Sequence, residues 1–151
     1  MTEQTPIKTD WKTDGIRVIA PRSRNTDTPD TKGMNRQVAI SGSRTGSSAL
    51  WAGTNHIRVG EVTGAHHHGP LESIIFVISG TALMRWGDRL EFVTKAEAGS
   101  FLLVPPFMPH QELNASDTED LHCALVRSGT EEVVVNLPDL VPVDDPEWIN
   151  F

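Results

Sequence analysis

Apolar residues along this chain come in short runs, each closed by a glycine or a polar cluster. From Val38 onward the runs are VAIS (38–41), ALWAG (49–53), HIRVG (56–60), SIIFVIS (73–79), TALMRW (81–86), RLEFV (89–93), FLLV (101–104), LHCALVR (121–127) and EEVVVN (131–136). They are of strand length and rich in β-branched residues, and no convincing helical stretch accompanies them. The pattern predicts an all-β sandwich or barrel. Trp86-Gly87-Asp88-Arg89 reads as a tight two-residue hairpin, because Gly and Asp tolerate the positive φ such turns need. Ser79-Gly80-Thr81 reads as another reversal.

The flanks differ in texture. Residues 1–37 form a polar leader in which, between Pro21 and Gln37, Met34 is the only large apolar residue. Ile16, Val18 and Ile19 could pair as a short strand, which predicts an ordered arm lying over the domain rather than a free tail. The segment 137–151 carries Pro138, Pro142 and Pro146 and is therefore excluded from a central strand. Its Trp148 and Phe151 are expected to anchor it. With no internal repeat, the chain reads as an arm (1–37), one barrel (38–136) and a tail packed on the barrel (137–151).

Composition narrows the function classes. In 151 residues, 38% hydrophobic content supports a real core, and a net charge of -7 repels phosphate backbones and argues against nucleic-acid binding. One cysteine, Cys123, permits no intrachain disulfide. The longest apolar runs fall far short of the roughly 20 residues of a membrane helix, and the N-terminus has no signal-like stretch. A soluble, cytoplasmic protein is expected.

The candidate chemistry is histidine. His66, His67 and His68 are consecutive in GAHHHGPLE, and His110 follows the proline-rich turn of FLLVPPFMP. On a strand, i and i+2 share a face, so His66 and His68 point one way and His67 the other. Together with Glu72 and one more imidazole from a neighbouring strand, they would make a four-ligand metal site. A surface metal-sticky patch without function is the plainer alternative. Prolines 105, 106 and 109 hold the backbone just ahead of His110, the rigid presentation a coordination site requires.

Gly64-Ala65-His66-His67-His68-Gly69-Pro70-Leu71-Glu72 followed by Gly80 resembles the first motif of the cupin superfamily, and Gly99-SFLLV-Pro105-Pro106-Phe107-Met108-Pro109-His110-QEL-Asn114 is similar to the second. The resemblance covers about residues 38–136, is closest in character to small bacterial single-domain cupins, and implies a jelly-roll β-barrel with a metal inside. It implies the ligands His66, His68, Glu72 and His110, with Mn(II) favoured, then Fe(II), Ni(II) or Zn(II). Glu72 stands one residue further from Gly80 than the usual pattern, so the acidic position could fall on Ser73 and leave a three-histidine site. Phe107 occupies a position where glycine is common, and Gly60 sits where the motif's turn glycine is expected.

Parity with Glu72 places Ile74, Phe76 and Ile78 around the metal as an apolar lining. Glu112 and Asn114 share the face of His110, Asn114 as a structural hydrogen-bonder and Glu112 as a carboxylate steering an imidazole or as a rim residue. Glu72 and Glu112 are the candidate catalytic carboxylates, with His122 as a further possible base. Only one of His122 and Cys123 can face inward. Trp51 and Trp86 read as packing residues, and Arg58 and Arg85 as outer-face arginines that could instead clamp an anion. The expected function is metal-dependent chemistry on a small oxygenated metabolite that chelates the metal, of dioxygenase, decarboxylase or isomerase type. The alternative is a non-catalytic module binding metal and a small ligand. The resemblance also implies a homodimer, with no membrane partner.

Overall fold

The computed structural model describes residues 10–151. Eleven strands follow in chain order: β1 (Asn35–Ile40), β2 (Leu50–Ile57), β3 (His66–His67), β4 (Ser73–Ser79), β5 (Thr81–Trp86), β6 (Phe92–Glu97), β7 (Phe101–Val104), β8 (His110–Asn114), β9 (Leu121–Ser128), β10 (Val135–Asn136) and β11 (Glu147–Trp148). They form two sheets, ordered β1-β2-β9-β4-β7 and β10-β3-β8-β5-β6-β11. All pairings are antiparallel except β11 on β6. This is the expected all-β fold, of jelly-roll type. No helix among the described residues is long and apolar enough to cross a membrane.

Strict alternation builds the core. In β2 Trp51, Ile57 and Asn55 face in, in β4 Ile75 and Val77, and in β9 Leu121, Cys123 and Leu125. All of these but Asn55 meet Ala82 and Met84 of β5 and Ala96 of β6 from the second sheet, as one cluster. Cys123 is therefore the inward residue of its pair and His122 the outward one. Trp51 is a core residue, as its surroundings in the sequence suggested.

Several boundaries move. Arg58–Gly60 lies beyond β2 rather than in a strand of its own. The turn after Trp86 is not a two-residue hairpin: Trp86 pairs with Phe92, and residues 87–91 make a longer connection in which Gly87 and Leu90 both have positive φ. Leu90 is wholly buried, so its apolar side chain holds this wider loop down. The expected strand at Ile16–Ile19 does not form, and Ile16 and Val18 are almost fully exposed. The arm instead docks through Asn25, which exchanges both backbone hydrogen bonds with Val38 (2.9 and 2.8 Å), and through buried Thr31 and Met34. Residues 1–9 of the leader lie outside the described residues.

The tail is held by its backbone, not by its aromatic rings. Phe151 is 98% exposed and Trp148 56%, which leaves neither as an anchor. Glu147 N–H and Ile149 N–H instead donate to Glu91 and Val93 carbonyls (2.8 and 2.9 Å). Arg85 donates to the carbonyls of Leu90 and Val143 and so ties the tail to the 87–91 connection.

Gly80 carries the chain from one sheet to the other. Its φ is +81°, and a Cβ there would stand 2.5 Å from the Asp120 carbonyl oxygen. Gly99 also has positive φ (+91°), but a Cβ there would meet open space. Gly99→Ala should therefore cost about 1 kcal/mol of backbone strain, and Gly80→Ala at least about 2 kcal/mol because the clash adds to the strain. Urea denaturation midpoints of the two variants check the difference, and equal losses would contradict it.

Candidate metal centre

Strands β3 and β8 lie side by side with His66 opposite His110, and His68 follows two residues after His66 on the same face. All three imidazoles are buried, with His66, His68 and His110 at 0, 3 and 1% exposure. Their ring centroids are 4.4 to 5.2 Å apart, and one ring nitrogen of each lies within 4.8 Å of the others. His67 points the other way, and its Nδ1 accepts from Gly69 N–H.

Each ring is oriented by a main-chain carbonyl. Nδ1–H of His66 donates to Gly64 (2.8 Å), that of His68 to Val133 (2.7 Å) and that of His110 to Met108 (3.0 Å). With the proton fixed on Nδ1, the Nε2 lone pairs are left to point inward, the arrangement metal-ligating histidines show. Nε2 of His66 and of His110 is buried without a hydrogen-bond partner. Such orphaned acceptors are costly inside a protein and suit a Lewis acid.

A buried carboxylate, Glu112, lies beside His66 at the edge of this trio. The inward residues of β8 are His110 and Glu112, and Glu112 Oε2 stands 3.8 Å from His66 Nε2. Both of its oxygens are buried without a partner. Its backbone is fixed to Thr63: Glu112 N–H donates to Thr63 Oγ1, and Thr63 N–H donates to the Glu112 carbonyl (both 2.9 Å).

Glu72 is not brought to the cluster. It is exposed, just before β4, with its backbone N–H donating to Ser128 Oγ (2.9 Å). The inward side chain at this point is Ser73, which receives a hydrogen bond from Arg127 Nε (3.0 Å). The expected lining by Ile74, Phe76 and Ile78 inverts for the same reason: Ile74 and Ile78 are 44 and 52% exposed, and Ile75 and Val77 face inward. A one-residue change of parity moves every side chain of a strand to the other face.

The sequence reading missed a buried ionic network. Arg127, next in the inward series after Leu125, donates from Nη1 to Glu132 Oε2 (2.6 Å) and from Nη2 to His68 Nε2 (3.1 Å), and its guanidinium lies 5.0 Å from the centre of the Trp51 ring. Arg36 Nε stands 3.8 Å from the same Glu132 oxygen, and Glu132 Oε1 is 3.4 Å from His68 Nδ1. The signal was parity: LHCALVR puts Arg127 on the face of Leu121, Cys123 and Leu125. Arg58 is exposed and Arg85 bonds only main-chain carbonyls, so neither reaches the centre. Asn114 is structural, with Nδ2 donating to the carbonyls of Ile57 and Glu119.

Burial dominates the protonation states. It lowers His66 to about 3 and His68 to about 2, with His110 lowered as well, so all three imidazoles are neutral at pH 7 and free to ligate. Burial would raise the Glu112 carboxyl, but the positive charge the imidazoles carry when protonated, together with the Arg36 guanidinium, outweighs it and sets the net direction downward. Burial also lowers Arg127 to about 10, leaving it charged. Three neutral nitrogens and a buried carboxylate with free oxygens fit a divalent metal ion.

The comparisons follow this geometry. A family profile described as a cupin domain matches residues 54–127. The chain carries a cupin domain. Strand β3, the residue after it and strand β8 hold the histidines quoted above for the two cupin motifs. No curated protein matches the chain. Among solved structures, this cupin is similar to the polyketide cyclase RemF from Streptomyces resistomycificus, with a TM-score of 0.65 at 15% identity over 87% of this chain and 89% of that one. It is similar to oxalate decarboxylase from Bacillus subtilis, with a TM-score of 0.63 at 20% identity, covering 74% of this chain and 29% of that one. The chain thus spans about three-tenths of the decarboxylase's length. A conserved protein with a double-stranded β-helix domain from Klebsiella pneumoniae gives a TM-score of 0.59 at 20% identity over 74% and 90%. At these identities the likeness is one of fold.

Neutral buried histidines make the metal-free protein acid-sensitive. In the unfolded chain they take up protons below their ordinary value of 6.5, but in the folded chain only near 3 and 2 for His66 and His68. The unfolded state therefore binds more protons between those limits, and stability falls as pH drops below about 6.5. Each histidine contributes a slope of about 1.4 kcal/mol per pH unit. Denaturation of metal-free protein from pH 7 to 5 should show this loss, and bound metal should raise stability across the range without removing the slope.

Proposed function

We propose that this cupin is a metal-dependent enzyme acting on a small oxygenated metabolite that chelates the metal. The observation that carries the reading is the convergence of His66, His68 and His110, with the Glu112 carboxylate 3.8 Å from His66 Nε2, and the buried acceptor atoms of His66, His110 and Glu112 without a partner among the described residues. These residues would hold the ion; the mixed nitrogen and oxygen set suits Mn(II), Fe(II), Ni(II) or Zn(II), and a carboxylate with open octahedral positions favours Mn(II) or Fe(II). When bound, the ion would supply Lewis acidity and open coordination positions. Glu112 takes the acidic place that the sequence motif assigned to Glu72, and Glu72 has no catalytic part because it faces solvent.

Charge balance points to an anionic substrate. Arg36 and Arg127 are offset by Glu112 and Glu132, so a divalent ion leaves the interior with two uncompensated positive charges. A carboxylate or enolate ligand would neutralise them, and in a water-poor interior that attraction is strong. Arg127 is placed to assist. Its Nη2 now donates to His68 Nε2, and once that lone pair turns to a metal the donor is free for a ligand oxygen. Glu132 keeps the guanidinium in place meanwhile. The free oxygen of Glu112 is the group placed to take or return a proton at the bound molecule. Decarboxylation, oxidative cleavage and isomerisation all fit such a centre, and the fold does not choose among them.

Metal analysis of protein purified without chelating resin tests the site. His66→Ala and His110→Ala should each lose most of the bound metal, and Glu112→Gln should reduce affinity by about tenfold to a hundredfold. Glu72→Gln should leave metal content unchanged. Retention of full metal content by both histidine variants would overturn the assignment. Product formation from small chelating acids in air, set against tight capture without turnover, separates enzyme from binding module.

A homodimer and a cytoplasmic location complete the reading. The cytoplasm is supported by the unpaired Cys123 thiol, which burial pushes up to about 12 and keeps unreactive. The dimer is supported by the outer face of the first sheet. There Ile74 of β4, Phe101 and Leu103 of the edge strand β7, and Val126 of β9 are exposed side by side. A second copy of the chain would cover them. Wild-type protein should sediment as a dimer at micromolar concentration and a Phe101→Glu/Leu103→Glu variant as a monomer, whereas a monomeric wild type would refute the assembly.

A further inference from the structure

A second cluster of metal-ligating side chains lies on the outer face of the first sheet. His56 of β2 and His122 of β9 are direct cross-strand partners, and their rings stack 4.3 Å apart at an interplanar angle of 10°. Asp120, just ahead of β9, accepts a hydrogen bond from His56 Nε2 at 2.7 Å. One ligand atom of each residue lies within 4.8 Å of the others. From this geometry we propose that His56, Asp120 and His122 form a second binding site for a divalent transition-metal ion, reached from solvent and separate from the buried centre.

The arrangement is more than a chance meeting of exposed groups. Cross-strand pairing fixes the two backbones, so the imidazoles are held at chelating distance without ordering a loop. Asp120 is held as well. Val59 N–H donates to its Oδ1 (3.0 Å), leaving Oδ2 aimed at the ring. The His56 hydrogen bond, followed by that of Val59, keeps the Asp120 carboxyl below its usual range, and it is therefore ionised at neutral pH. The His56 and Asp120 side chains are 31 and 39% exposed, which admits a hydrated ion and shields it only in part.

The cluster opens onto a cleft of about 280 Å³ that Asn35, Thr54, Ser79 and Arg24 also line. The ion takes the place of the hydrogen now shared between His56 Nε2 and Asp120 Oδ2, and in the ion-bound form the ring's hydrogen sits on Nδ1. Two imidazoles and one carboxylate fill three positions of a Zn(II) or Cu(II) sphere, leaving at least one for water or a small anion. Arg24, whose Nε has no hydrogen-bond partner among the described residues, borders the cleft and favours an anion as the added ligand.

Zinc titration against a competing chromophoric chelator tests the proposal, using full-length protein stripped of metal. Wild type should bind two equivalents. His66→Ala/His110→Ala should bind one, and its affinity should fall as pH is lowered. His56→Ala/His122→Ala should also bind one, with the buried site retained. His122→Gln, a change at an exposed position, should weaken the outer site by tenfold or more while circular dichroism stays that of the wild type. Unchanged stoichiometry and affinity in both the His56→Ala/His122→Ala and His122→Gln chains would overturn the outer site. Unchanged binding in His66→Ala/His110→Ala would overturn the buried one, so the two failures are distinguishable.

Discussion

Three unprotonated nitrogens facing one another across a few ångströms would ordinarily be unstable inside a protein, because each ring could turn to find a donor or collect a proton. The Nδ1–H bonds to the carbonyls of Gly64, Val133 and Met108 remove the first escape, and burial removes the second. Everything else in the centre depends on these anchors. Two of the carbonyls lie two residues before the ring they hold, so β3 and β8 carry most of their own alignment. The third comes from the segment before β10. It lies beside Glu132, whose carboxylate grips Arg127, so His68 belongs to the ionic network as much as to the histidine cluster.

That network gives His68 a double role. Its Nε2 is the one imidazole acceptor of the three that already has a donor, the guanidinium of Arg127. The interior is thus balanced in charge and partly satisfied in hydrogen bonding before any ion enters. Buried ion pairs of this kind stabilise little in net terms, because desolvation offsets their attraction. Their worth is positional: Ser73, Glu132, Trp51 and His68 surround Arg127 and leave it one geometry.

The all-β fold was legible because a period of two survives irregular turns, and β4, β5 and β7 matched their apolar runs residue for residue. The histidine trio was legible from i, i+2 parity and from the proline turn before His110. Reading failed where parity had to be chosen. Taking Glu72 as inward carried Ile74, Phe76 and Ile78 with it, although Ser73, Ile75 and Val77 hold that face. The buried charges failed for a different reason. A lone Arg or Glu in a strand resembles a solvated residue, and only the partners, from β1, β9 and the segment before β10, show that Arg36, Arg127 and Glu132 neutralise one another. Pairing across such distances is a property of topology, and no local spacing encodes it.

The parallel strap of β11 along β6 has a bearing on how the molecule behaves in a crowded solution. An uncapped strand exposes a row of amide and carbonyl groups that can template growth by foreign chains. By lying on β6, residues 147–149 fill that row, and the three prolines around them make the strap itself a poor template. Among the described residues β7, an edge of the opposite sheet, carries no such strap, so self-association, wanted or unwanted, finds an open row there.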